Sequence, residues 1–166
     1  LFSPLTIRSM TLPNRIVVPA MVTRLSGEDG FVNQDITDRY VRFAKGGAGL
    51  VILEAMAVHG SKSGPLLRIC EDVFLPGLRD LRRKMKDAGT ACVVPQIIHF
   101  LKISRSGWRQ KVDDLSIEDI REIVRAYAAA AVRTLTAGCD GVEVHMAHAY
   151  TLSSFISRVN KRRDDY

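Results

Sequence analysis

Four short runs of apolar, mostly β-branched residues, separated by stretches with helical periodicity, constrain this chain more than any other feature. The runs are Ile16-Val17-Val18, Leu50-Val51-Ile52-Leu53, residues 91–98 and Val142-Glu143-Val144. Strands apolar on both sides belong to parallel sheets covered by helices. Between the first two runs, residues 35–45 place Ile36, Tyr40, Phe43 and Ala44 on one helical stripe, and Gly46-Gly47 follows as a stop. Residues 75–88 turn Leu78, Leu81 and Met85 one way and Arg79, Arg82, Arg83 and Lys86 the other, before Gly89. Ser116, with Asp119 three residues on, predicts an N-cap and a capping box. The Ala-rich stretch 126–131 continues that helix to Gly138, and residues 151–157 open a further one. Ahead of these units, Leu5-Thr6-Ile7 and Met10-Thr11-Leu12 read as a hairpin between Pro4 and Pro13.

The order β-α-β-α-β-α-β-α predicts an α/β fold with a parallel sheet. No Gly-x-Gly-x-x-Gly follows the first run, which disfavours a dinucleotide-binding sheet and favours a (β/α)8 TIM barrel. A closed barrel takes about 250 residues. The 166 residues here, one domain over 1–166, supply about the first four β/α units. Leu1 in place of Met, and Tyr166 inside a continuing motif, lead us to expect a segment of a longer polypeptide.

Composition excludes little and suggests one class. Apolar residues at 46% and charged residues at 25% predict a packed core. The formal charge of +6 raises nucleic acid as a partner. The basic residues are scattered, however, and the densest cluster, Lys161-Arg162-Arg163, runs straight into Asp164-Asp165. We therefore expect no nucleic-acid partner, and a basic surface suited to a phosphorylated cofactor or CoA ester. Cys70, Cys92 and Cys139 lie far apart, without zinc spacing, as ordinary thiols of a reducing compartment do. No signal peptide and no apolar stretch near 20 residues is present, so no membrane association and a cytoplasmic location are expected.

In a barrel of this kind, chemistry sits at the C-terminal ends of the strands. Those ends read Pro19-Ala20-Met21-Val22-Thr23, Glu54-Ala55-Met56, Gln96-Ile97-Ile98-His99 and His145-Met146-Ala147-His148-Ala149-Tyr150. His145, His148 and Tyr150 are the sharpest group. Two imidazoles can hydrogen-bond a carbonyl oxygen and stabilise enolate charge, and a phenol can deliver a proton to carbon. One histidine could instead cap the next helix and the other sit in the core. A zinc site would need a third ligand, and none is patterned here. Glu143, two residues before His145, is expected one layer deeper, placed to orient the imidazole. Gln96 offers a donor and an acceptor to the edge of a flat heterocycle, or to buried backbone groups. Ala20 and Ala55 leave room for a ring to approach the backbone, or are plain core alanines.

Taken together, these stretches resemble the old yellow enzyme family of NAD(P)H-dependent flavin oxidoreductases, over essentially the whole chain. Residues 1–21 are similar to its opening hairpin and first strand, and residues 49–58 to its second strand. Residues 140–166, with His-Met-Ala-His-Ala-Tyr and Asn160-Lys161-Arg162-Arg163-Asp164-Asp165-Tyr166, are the most specific match. The resemblance implies a noncovalent FMN lined by Pro19, Ala20, Met21 and Ala55, with Gln96 at its pyrimidine edge. It implies that His145 and His148 hold the oxygen of an α,β-unsaturated carbonyl or enoyl-CoA substrate, that Tyr150 protonates the α-carbon, and that NAD(P)H is the reductant. Val22 stands where many members carry Thr or Cys, and Phe100-Leu101-Lys102 replaces the usual small residues.

The Arg-Val-Asn-Lys-Arg-Arg string is closer to 2-enoate and 2,4-dienoyl-CoA reductase-like members. Those carry a 4Fe-4S cluster and FAD in C-terminal regions. The last parallel strand would be an unpaired edge prone to association, so a homo-oligomer is a further expectation. Two other readings stand beside this one. The first is a tRNA dihydrouridine synthase-like FMN barrel, although its Asn-x-Gly-Cys-Pro string does not occur here. The second is an inactive truncated fragment of the barrel.

Overall fold

The computed structural model describes residues 1–61, 64–102, 106 and 109–166, so the loop read at 58–65 lies partly outside the described residues. The opening hairpin forms as expected. Strands β1 (Leu5–Ile7) and β2 (Met10–Leu12) pair antiparallel, with Thr6 opposite Thr11. Four parallel strands follow: β3 (Val17–Val18), β4 (Leu50–Ala57), β5 (Cys92–Ile98) and β6 (Glu143–Val144). Their order in the sheet is β3-β4-β5-β6, the order of the chain. Among the described residues there is therefore no reversal of strand order, the feature at which a doubly wound sheet binds its dinucleotide.

Helices α1 (Gln34–Lys45), α2 (Leu75–Ala88) and α3 (Ile117–Thr136) connect successive strands. All three pack through one cluster. Ile36 and Tyr40 of α1, Leu78, Leu81 and Met85 of α2, and Ala130 of α3 meet Val51, Leu53, Val93 and Ile97 of the strands. A separate small cluster, Ala55, Ala57, Leu66 and Ile98 with Phe100 against it, belongs to the side where a barrel interior would lie. Helices joined through one core, over a sheet in chain order, are the first half of a (β/α)8 arrangement.

Local chemistry sets the boundaries. Asn33 caps α1, its side-chain oxygen accepting from the Ile36 amide at 3.0 Å. The capping box at α3 is complete: Asp119 N donates to Ser116 Oγ at 3.0 Å, and Ser116 N to Asp119 Oδ2 at 2.8 Å. Strand β4 runs four residues past the predicted end at Leu53, and its register against β5 slips between Leu53 and Met56. The slip lies beside Pro95, paired with Leu53. Proline has no amide hydrogen for the ladder, so a central strand carrying one needs a local irregularity. Helix α4 (Thr151–Phe155) is two residues shorter than the sequence suggests.

Candidate active site

A cleft of about 910 Å³ opens at the C-terminal ends of the four parallel strands. That volume lies in the range of small-molecule sites. Ala20, Met21 and Val22 reach it just after β3, Ala55 from β4, Gln96 and Ile98 from β5, and His145, His148 and Tyr150 from β6 and the turn beyond. Seven of the eight site residues singled out in the sequence thus line one space. The eighth, Pro19, is exposed and leads the chain into Ala20 without lining the cleft itself.

The imidazoles and the phenol form one aromatic group. Ring centroids are 5.1 Å apart for His145 and His148, 5.2 Å for His145 and Tyr150, and 6.4 Å for His148 and Tyr150. Phe100 backs Tyr150 at 5.5 Å. His145 is buried and its amide donates to Ile97 O at 3.0 Å, which extends the β5–β6 ladder by one residue. Burial holds its pKa below the ordinary histidine value, with the neighbouring His148 acting in the same sense and Glu143 opposing. A neutral imidazole there can donate one hydrogen bond without bringing a cation. Among the described residues, neither ring nor the Tyr150 hydroxyl has a protein hydrogen-bond partner, so their polar atoms are available to a ligand.

The turn that carries them is strained. His148 and Ala149 both have φ of 57°, the left-handed region that L side chains rarely adopt. Hydroxyls hold the turn: Ser153 Oγ donates to Ala147 O and Tyr150 O, and Ser154 Oγ to Ala149 O. Below it, Thr151 Oγ1 meets His99 Nδ1 at 2.8 Å. Burial, then the nearby His59, pushes the His99 pKa down to about 4.

Glu143 does not orient His145 as the sequence suggested. Gln96 Nε2 donates to Glu143 Oε1 at 2.6 Å. The two residues are register partners on adjacent strands, which puts their side chains on the same face. A carboxylate only accepts, so it fixes the amide with its nitrogen inward. The Gln96 carbonyl and its second N–H remain for the cleft.

Sequence reasoning missed a buried network behind the first wall. Glu54 is fully buried. Its Oε2 accepts from Thr23 Oγ1 at 2.8 Å and from Tyr40 Oη at 3.3 Å, and its Oε1 from Thr23 N at 3.3 Å. The Glu54 amide donates to Tyr40 Oη at 2.7 Å. The signal was present, because a carboxylate inside an apolar run requires partners. His59, in the cleft wall, was also missed. Its ring stands edge-on to His99 at 4.9 Å and to Phe100 at 4.7 Å, and burial depresses its pKa.

Among the described residues no group of three or more His, Cys, Asp or Glu is placed to hold a metal ion. No described helix is long and apolar enough to cross a membrane.

The sequence matches the profile of the NADH:flavin oxidoreductase / NADH oxidase family over residues 1–106 and 99–166. An NADH oxidase of Thermoanaerobacter brockii is 35% identical over 187 residues, covering all of this chain and 29% of its own length. An NADPH dehydrogenase of Bacillus pumilus (strain SAFR-032) is 32% identical over 189 residues, covering all of this chain and 54% of its own. The crystal structure of Old Yellow Enzyme from Pichia sp. AKU4542 superposes with a TM-score of 0.88 at 22% identity, over 99% of this chain and 50% of that one. At that identity the likeness is one of fold. The chain spans about a third to half of the length of these proteins.

Proposed function

The chain belongs to the NADH:flavin oxidoreductase / NADH oxidase family, and on that premise we propose that its cleft is half of the site of an FMN-dependent, NAD(P)H-driven reductase of activated C=C bonds. The observation that carries this reading is the convergence of His145, His148 and Tyr150 with Ala20, Ala55 and Gln96 on one space. The residues present suit a flavin. Ala20 and Ala55 leave the wall low enough for a flat ring, and Met21 offers an exposed apolar side chain beside it. Gln96, anchored by Glu143, keeps a carbonyl and an N–H for a heterocycle edge. Pro19 would contribute through the backbone that it stiffens.

When bound, FMN would accept hydride from NAD(P)H and supply it to the substrate's β-carbon. The protein's own part is positioning and proton transfer. His145, kept neutral by its burial, and His148 would hydrogen-bond the carbonyl oxygen of an α,β-unsaturated carbonyl or enoyl-CoA substrate and stabilise the charge that develops on it. Tyr150 would then give its proton to the α-carbon. Its phenol, at 5.2 Å from the His145 ring and backed by Phe100, is held over the same space.

The test uses the complete gene product. Its visible spectrum and its turnover of 2-cyclohexenone and crotonyl-CoA should show a flavoprotein reductase, and a colourless protein would remove the reading. His148→Asn and Tyr150→Phe should each slow substrate reduction more than NAD(P)H-driven flavin bleaching. Equal loss of both half-reactions would argue against the roles given to these residues.

A further inference from the structure

We infer that this cleft selects substrates that carry an anionic group, a carboxylate or a phosphate, and that Arg24 binds it. The inference rests on the reductase reading above and narrows its substrate class.

The charged side chains that line the cleft among the described residues are Arg24 and Lys102. Both are cations, and no Asp or Glu joins them. The two are not equivalent. Hydrogen bonds from Ser116 chiefly hold the Asp119 carboxyl below its ordinary range and Lys102 adds to this, so Lys102 has an acidic neighbour within the protein. Arg24 has no ion pair or side-chain hydrogen bond among the described residues. A guanidinium so placed offers a planar fork of donors that fits the paired oxygens of a carboxylate or phosphate.

The backbone around Arg24 is built rather than loose. Arg24 has φ of 64°, and a non-glycine residue there costs about 1–2 kcal/mol. A loop that needed only the turn would be cheaper with glycine. Both flanks are tied down. Thr23 gives its amide and its hydroxyl to the buried Glu54, and its oxygen accepts from the Leu25 amide at 3.2 Å. Leu25 O in turn accepts from Asn33 Nδ2 at 2.6 Å, at the cap of α1. The strained residue is thus held between a buried carboxylate and a helix start, with its side chain on the cleft. Strain retained at a fixed rim position is the pattern of a ligand contact.

The test is equilibrium binding, by calorimetry on the complete gene product, of saturated ligands that cannot be reduced. One matched pair is 4-oxopentanoate and its methyl ester. The other is S-butyryl-4′-phosphopantetheine and S-butyrylpantetheine, which differ by the phosphate alone. The unmodified protein should bind the charged member of at least one pair about tenfold more tightly than the neutral member, as a charge-assisted contact implies. A response in the first pair identifies a carboxylate, and in the second the phosphate. Arg24→Ala should erase the preference, Arg24→Lys should keep part of it, and Arg24→Glu should reverse it. Raising salt should weaken it, because Arg24 is exposed.

Three results would overturn the inference. They are no preference in the unmodified protein, equal weakening of both members in Arg24→Ala, and loss of bound flavin in that variant, which would assign the guanidinium to the cofactor. The visible spectrum of the same preparation reports separately on the flavin reading. A colourless protein that still prefers the anion fails that reading alone.

Discussion

Replacing Tyr40 by phenylalanine should destabilise the protein well beyond what the loss of one oxygen suggests. Tyr40 is 2% exposed and Glu54 0% exposed, so water cannot substitute for a missing partner at either. Burial, then the Glu54 charge, pushes the phenol far above its ordinary range, and it stays a hydroxyl. That hydroxyl accepts from the Glu54 amide at 2.7 Å and donates to the Glu54 carboxylate at 3.3 Å. In the variant the amide becomes a buried donor without a partner, which costs about 1–3 kcal/mol. The carboxylate keeps its two bonds from Thr23, so its share is smaller, near 1 kcal/mol by the same measure. No cavity as large as a methyl group is created, so packing adds little. We expect a total of about 2–4 kcal/mol, read as the shift in urea midpoint times a slope shared by both proteins. A shift below about 0.5 kcal/mol, within the scatter of surface substitutions, would refute the claim that this pair is sealed from water.

Other sites give sharp expectations. Gly89→Ala should destabilise strongly, by about 3 kcal/mol or more, because its added Cβ would stand 2.2 Å from the Ala44 carbonyl oxygen; a thermal melt within 2 °C of the parent would contradict the close approach of α1 and α2 ends. Thr151→Val keeps the shape but strips His99 Nδ1 of its partner, and should cost about 1–2 kcal/mol in the same urea assay. Acid should weaken the fold through His99. Above pH 6.5 the ring is neutral whether the chain is folded or not. As pH falls from 6.5 to about 4 the unfolded chain takes up a proton that the folded one refuses. Stability drops over that window by up to about 3 kcal/mol, at 1.36 kcal/mol per unit. A His99→Gln variant should show a shallower loss over the same range, and an identical slope would exclude His99 as a source.

The β/α alternation was legible because strands buried on both faces must be apolar throughout, whereas helices need only one stripe. Leu50–Ala57 shows the limit of that signal: Glu54 breaks the apolar run, so the sequence reads as ending at Leu53, yet the strand continues with its carboxylate inside. That the candidate residues meet at one cleft was legible by rule, since they follow strand ends. Their mutual arrangement was partly so. Glu143 and His145 share a face of an ideal strand, but β6 is only two residues long, and the cross-strand register gives the carboxylate to Gln96 instead. Register between strands distant in sequence cannot be read from either strand alone. His59 and Arg24 carry no spacing signal. Each becomes meaningful only once the loops after β3, β4 and β5 face one another.

Backbone strain and the candidate site coincide. Of the four non-glycine residues with positive φ among the described residues, Arg24, His148 and Ala149 lie at the rim of the cleft or within its last turn, and Arg8 lies elsewhere, in the hairpin turn. Each such residue costs on the order of 1 kcal/mol and persists only where its surroundings over-determine it. Here the determinants are specific. The buried Glu54 fixes Thr23 on one side, and three serine-hydroxyl bonds to carbonyls fix residues 147–150 on the other. Neither set relies on a ligand. The backbone that carries Arg24 and the turn that carries His148 are therefore held in place before anything binds, and the energy for that order comes from the scaffold rather than from the substrate.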